Sequence, residues 1–257
     1  MTIRALQRWS AFVVAVALWE VVARRMADVF FPPPSAIVRR MYHLWFSGPP
    51  SHLFLSGDAV GNLLPSLARM GIGLGVALVL GIVVGLALGR SARFFQYVDP
   101  VLQFARVIPP PTLVPVFVVL LHLGPAMQVT SIVFGAVWPI LLNTAEGARS
   151  VDRALLDTAR VFRLSALDRV GLVIVPSALP KLFAGLRLSL SLSLILMVFS
   201  ELLPGTANGI GFALTDAQSR SDLPTVWAAI VLLGILGYVL NTLLLGVERR
   251  VVHYGRS

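Results

Sequence analysis

Cysteine is absent from the 257 residues, and lysine occurs once, as Lys181. The first absence excludes a disulfide framework, thiolate-bound zinc and thiol catalysis. The second excludes a P-loop, whose Gly-x-x-x-x-Gly-Lys-Ser/Thr signature cradles phosphates. Lys181 follows Pro180, precedes Leu182 and has no such glycines before it. Any nucleotide energy this chain uses must come from another polypeptide. Charge is scarce as well: 13% of residues are charged and 57% are hydrophobic, whereas soluble domains carry about a quarter charged residues. The composition is that of an integral membrane protein. His43, His52, His122 and His253 are scattered, with no His/carboxylate motif at metal-ligand spacing, so a metal-dependent membrane enzyme finds no support.

What the chain does have is long apolar runs. A helix crosses the hydrocarbon core with about 20 apolar residues. Such runs lie at roughly 9–22, 63–88, 101–123, 127–142, 182–203 and 226–247, which predicts an all-α polytopic membrane protein of about six transmembrane helices filling 1–257 as one transmembrane domain. The first run is short and holds Glu20. Arg24-Arg25 directly after it make a poor cleavage region, which argues against a signal peptide.

Charge placement orients the spans. With the N-terminus inside, fourteen lysines and arginines fall on the cytoplasmic side, seven of them between positions 149 and 187. Five fall outside: Arg24, Arg25, Arg39, Arg40 and Arg220. Inverting the chain inverts the ratio, so both termini are expected in the cytoplasm. The net charge of +9 then reads as cytoplasmic loops against anionic lipid, not as nucleic-acid binding. Four of the five outer arginines follow the first span and fit this rule badly; a surface amphipathic helix around 35–46 is the local feature expected there.

Three signals mark the interior. Gly81, Gly85 and Gly89 recur at four-residue spacing, and Gly71 and Gly75 repeat it earlier. Small residues on one helical face let two backbones approach closely, so a tightly packed helix pair is expected. The third run contains Arg106-Val107-Ile108-Pro109-Pro110-Pro111 and then Pro115. Prolines remove backbone donors, and irregular backbone at membrane depth is tolerated only inside protein or beside an aqueous cavity. An interrupted helix beside a passage is expected, a simple kink being the alternative. Ionisable residues within spans usually face the bundle interior. Arg69 and Glu201 should both lie towards the outer face, where they either pair or line a mouth, or each snorkels to its own interface. Arg69, Arg106, Pro109, Pro110 and Glu201 are the candidate pathway or gate residues.

The polar stretch before the fifth run, 157–180, reads DTARVFRLSALDRVGLVIVPSALP. Val151, Leu155, Thr158 and Phe162 recur at three- or four-residue steps, one face of a short helix. Arg153, Arg160 and Arg163 mark the other face, among Asp152 and Asp157, with Leu156 and Leu164 blurring the division. The pattern alone allows a solvated surface helix.

This segment resembles the EAA loop of ABC-importer permeases, which runs Glu-Ala-Ala, then a glycine, then Ile-x-Leu-Pro. Asp157-Thr158-Ala159 stands at the first element and Val173-Ile174-Val175-Pro176 at the last, continued by Ser177-Ala178-Leu179-Pro180. Asp157 shortens the glutamate but keeps its charge. Arg163 stands where the glycine belongs, so the turn there is expected to be built differently, a side chain lacking easy access to positive φ. Further elements occur in order: Phe31-Pro32-Pro33-Pro34, Ser66-Leu67-Ala68-Arg69, Asp99-Pro100, Asn143-Thr144, Gly185-Leu186-Arg187 and Gly209-Ile210-Gly211. With Arg106, Pro109-Pro110 and Glu201 they look like the branch of permeases for sulfonates, taurine and nitrate, which also holds importers of vitamin precursors.

The resemblance implies a type I importer in the bacterial inner membrane. Its parts would be a second permease subunit (identical or not), two cytoplasmic ATPases carrying ATP and Mg, and an external substrate-binding protein. The cytoplasmic coupling loop would span 149–181, with Asp157, Thr158, Ala159, Phe162, Arg163 and Pro176 at the ATPase. This chain itself would hold no catalytic residue, metal or cofactor. A small organic anion such as a sulfonate is the expected solute, with a vitamin precursor or aromatic compound as alternatives. An ATP-independent secondary transporter is the rival class, but it needs coupling charges at mid-membrane and usually an internal repeat; neither is clear.

Overall fold

The computed structural model describes residues 3–26 and 28–252, and every regular element among them is helical. The α-helices are α1 (Ile3–Met26), α2 (Pro34–Trp45), α3 (Leu64–Gly89), α4 (Ala92–Val107), α5 (Pro110–Leu121), α6 (Pro125–Arg149), α7 (Arg153–Val161), α8 (Ala166–Arg169), α9 (Val175–Glu201), α10 (Ile210–Ser219) and α11 (Leu223–Val251). Among the described residues, four helical stretches are long and apolar enough to cross a membrane: Ala59–Gly89, Pro125–Arg149, Ala166–Glu201 and Leu223–Val251. The pair α4 and α5 counts as a fifth if taken as one broken span. The 24 residues of α1 have the length of a crossing but not the apolar character, so four or five spans stand among the described residues where about six were expected.

Two stretches outrun the apolar runs that announced them. The run at 127–142 belongs to a helix reaching Arg149, and the run at 182–203 to a 36-residue helical stretch starting at Ala166. Polar residues end an apolar run without ending a helix. At two places the helix widens to a π-turn, Ala59–Leu63 and Val170–Ile174. Each lies just ahead of a proline, Pro65 and Pro176. A proline has no N–H to give and crowds the carbonyl four residues back, and a π-turn accommodates both defects while the helix continues.

Packing divides the chain into two compact units. The first comprises Met1–Pro65 and Ala207–Ile235. Here Glu20 on α1 accepts hydrogen bonds from Ser35 N at 2.9 Å, Ser35 Oγ at 2.7 Å and Arg24 Nε at 2.5 Å. It thus satisfies an N–H of the first turn of α2, which has no partner inside its own helix. The expected amphipathic helix is α2, which buries Ile37, Met41 and Trp45. Arg40, half-buried one turn after Ile37, donates to Thr225 Oγ1 at 2.7 Å and to Asp222. Asp222 also accepts from Thr225 N and Oγ1, at 3.2 and 2.7 Å, capping α11. Burial pushes the Asp222 carboxyl up, but the Thr225 and Arg40 bonds outweigh it and hold the group below the usual carboxylate range. Two of the arginines that fit the charge rule badly, Arg24 and Arg40, are therefore each matched by a carboxylate.

The second unit comprises Ser66–Thr206 and Leu236–Ser257. Its centre is α6, flanked by α9 and α3. Against α9 the contacts run antiparallel: Gly147 on Ala178, Gly185 on Pro139 and Asn143, Gly135 on Leu196, with Ser189 Oγ donating to Ala136 O at 2.6 Å. Against α3 they run parallel, Gly73 on Ile132, Gly81 on Ile140, Gly85 on Thr144 and Gly89 on Ala148. These four pairs, and the bond between Arg69 and Gln128, share one register offset of 59 residues. A Cβ on Gly81, Gly85 or Gly89 would meet α6 at 2.5–2.7 Å, so this is the tightly packed pair that the glycine spacing predicted. Gly71 and Gly75 are different: nothing lies within 4 Å of either added Cβ. Their spacing matches, but they stand on other faces of α3.

Candidate functional site

The second unit holds two groups of sequence-predicted residues. The first is buried. Arg69 on α3 and Glu201 at the end of α9 form an ion pair, Arg69 Nη2 to Glu201 Oε1 3.2 Å. Ser66, one turn before Arg69, lies 2.8 Å from both carboxylate oxygens and gives its one proton to that group. Arg69 Nη1 donates to Gln128 Oε1 on α6. All four residues are buried, Ser66 wholly and Arg69, the most accessible, at 7% exposure. Of the alternatives open for Arg69 and Glu201, direct pairing is the one found. Ser66 and Gln128 were not singled out for this role. Ser66 carried a signal, since it sits three residues before Arg69 on one helical face. Gln128 carried none before the α3–α6 register was seen.

The proline break is real. Ile108 and Pro109 are both extended (φ −62°, ψ 118°), and α4 and α5 meet at 88° across them. A residue ahead of proline is pushed out of the α-region, and two such residues in succession turn the chain. Pro110 opens α5, where a missing N–H does no harm, and its ring packs beside Gly135 and Leu196. Arg106 lies in the last turn of α4, exposed, and shares no hydrogen bond or ion pair with the Arg69 cluster. The structure thus does not unite all five pathway candidates.

The second group is α7 and its exit. Asp152 caps the helix, accepting from Ala154 N at 2.9 Å. Asp157 pairs with Arg160 at 2.7 Å, both exposed, and Thr158 Oγ1 donates to Ala154 O at 2.8 Å. Ala159 is the one residue of α7 that is buried, at 3% exposure. Val161 and Phe162 are 80% and 74% exposed, so the apolar end of the helix faces outward. Pro176 is exposed near the start of α9.

Arg163 overturns one expectation. It adopts φ +53°, the left-handed conformation that a glycine there would supply. Its N–H bonds Arg160 O at 2.9 Å, and the Leu164 N–H bonds Ala159 O at 3.0 Å. These are the two bonds of a Schellman motif. The turn is built as with glycine, and the side chain is carried at a backbone cost of roughly 1–2 kcal/mol. The chain then re-enters a helix at once: Ser165 accepts from Asp168 N at 3.2 Å and donates to its Oδ2 at 2.6 Å, starting α8. Little slack separates α7 from α9.

Residues 77–253 match the family described as binding-protein-dependent transport system inner membrane component. A putative aliphatic sulfonates transport permease protein of Bacillus subtilis (strain 168) is 30% identical over 246 residues, covering 95% of this chain and 86% of the relative. A bicarbonate transport system permease protein of Synechococcus elongatus is 32% identical over 189 residues, 74% of this chain and 68% of its own. A nitrate import permease protein of Leptolyngbya laminosa is 33% identical over 191 residues, with the same coverages. Among solved structures, the MetNI methionine ABC transporter in an inward facing conformation superposes with a TM-score of 0.61 at 21% identity. That match covers 74% of this chain and 94% of the other.

Proposed function

We propose that this chain, which belongs to the family of binding-protein-dependent transport system inner membrane components, carries a small oxyanion-bearing solute, an aliphatic sulfonate foremost, under control of a separate ATPase that docks on α7. The protein is a membrane-embedded permease subunit of an ABC importer and not an enzyme. Support for the solute class comes from relatives named for aliphatic sulfonates, bicarbonate and nitrate, all oxyanions. Docking on α7 rests on one observation above others: the helix ends in two large apolar side chains, Val161 and Phe162, left in the open. Its partners would be a second permease subunit, two ATPases holding ATP and Mg, and an external binding protein. Both termini would lie in the cytoplasm, where fourteen of the twenty-one basic residues then sit.

The mechanism follows from how α7 is tethered. Movement of an ATPase pulls on α7, and the tight turns at Arg163 and Ser165 pass that pull to α8, the π-turn and α9. At its far end α9 carries Glu201, which α3 holds through Arg69 and Ser66. The helix therefore joins the docking surface to the buried ion pair as one rigid element about 40 Å long. The permease offers two packed arrangements, and its partners bias their balance. Phe162→Asp in the complex reconstituted with its ATPase is expected to keep ATP hydrolysis and lose solute uptake. Uptake per ATP equal to wild type would remove α7 from the coupling role, and uptake by this chain alone without ATP would remove the importer reading itself.

A further inference from the structure

Where three long helical stretches end or begin, the second unit contains a cleft of about 420 Å³. Its charged lining is arginine alone: Arg90 just past α3, Arg149 closing α6 and Arg169 closing α8. None of the three takes part in an ion pair among the described residues. The Arg169 Nε is buried and has no hydrogen-bond partner among them. The Arg149 guanidinium lies over the Phe95 ring, 4.2 Å from its centroid, which fixes its position without using its N–H donors. Three unpaired guanidiniums around one partly enclosed space repel one another, and a multivalent oxyanion relieves that repulsion through charge-assisted bonds.

The position of the cleft narrows the source of that anion. Helix ends at the edge of the hydrocarbon core lie at headgroup level, and basic pockets between spans there suit anionic lipid headgroups. The uncharged lining includes Leu156 and Ile174, which suits the apolar part of a lipid better than a hydrated free ion. We infer that the cleft seats the phosphate of an anionic phospholipid headgroup. Because Leu156 belongs to α7 and Arg169 to α8, a seated lipid wedges against the segment that links α7 to α9. The inference requires that the chain span a membrane, and it holds for either orientation.

Native mass spectrometry of the purified full chain, offered equal phosphatidylglycerol and phosphatidylcholine, tests it. Wild type is expected to retain phosphatidylglycerol preferentially. Removing each arginine should lower that retention about fivefold, so Arg149→Gln with Arg169→Gln should lower it roughly twenty-five-fold. Arg39→Gln, on α2 in the other unit, should leave it unchanged. Arg90→Gln alters an exposed helix end and keeps the test sound if the double variant misfolds; retention unchanged there overturns the assignment. Displacement of the lipid by millimolar inorganic phosphate overturns it in favour of a soluble anion. Undiminished lipid with lost ATPase copurification overturns it in favour of a protein-docking surface.

Discussion

The cluster around Arg69 and the segment from Asp152 to Arg169 sit at opposite ends of α9's reach, and they treat charge in opposite ways. In the cluster, three helices deliver four polar side chains to one buried point, and each is bonded to another of the set. In the segment every charge but Arg169 is exposed, and its one ion pair joins near neighbours, Asp157 and Arg160, while Val161, Phe162 and Leu167 stand 74–83% exposed. A buried charge without a partner is too costly to persist, so the chain completes the cluster by itself. Exposed apolar residues carry a much smaller penalty, so a chain can keep them for a partner it does not contain. The cluster is finished within this polypeptide; the segment, on the function proposed, is half of an interface.

The largest expected effect breaks the finished half. Glu201→Ala leaves the buried Arg69 guanidinium without its carboxylate, and loss of one partner from such a pair costs about 3–5 kcal/mol. Thermal unfolding of the purified chain should show it, with the exchange of Arg69→Glu and Glu201→Arg together recovering much of the loss. A single variant as stable as wild type would mean the cluster is hydrated and not closed. The next effect probes the register that brings Arg69 to Gln128. Gly85→Ala places a methyl 2.7 Å from Leu141 O and should destabilise by about 1–3 kcal/mol. Gly75→Ala meets open space and should be neutral or gain up to about 1 kcal/mol from helix propensity. Equal effects at both positions would contradict the parallel packing of α3 on α6.

Much of this was legible in order of physical locality. The apolar runs announced the spans because the bilayer demands unbroken apolar length, and the prolines announced the break because their defect is covalent. Glycine spacing predicted that α3 packs tightly but not against which helix, and it admitted two wrong glycines, since a four-residue step alone does not say which face meets a neighbour. The Arg69–Glu201 pair could be posed as an alternative and not decided, because residues 132 positions apart in sequence meet only once α3, α6 and α9 are packed. Ala159 shows the same limit at short range. Its place in the motif suggested contact with a partner, whereas the fold leaves it buried, with its carbonyl accepting the Leu164 N–H.

The smallest effect is the most discriminating for the unfinished half. Arg163 occupies φ +53° inside an otherwise complete Schellman motif, so its side chain is kept against a conformational penalty. Strain of this kind is retained where the surroundings or a function require it. Arg163→Gly should therefore stabilise the end of α7 by up to about 1 kcal/mol, read as slower amide exchange at positions 163 and 164. Measuring coupled transport in the same variant separates two roles. Stability gained with coupling intact would assign the arginine no part in docking. Stability gained with coupling lost would place its guanidinium on the ATPase, beside Phe162. A loss of stability would show that the turn depends on the arginine side chain, and the likeness to a glycine turn would then be one of backbone shape alone.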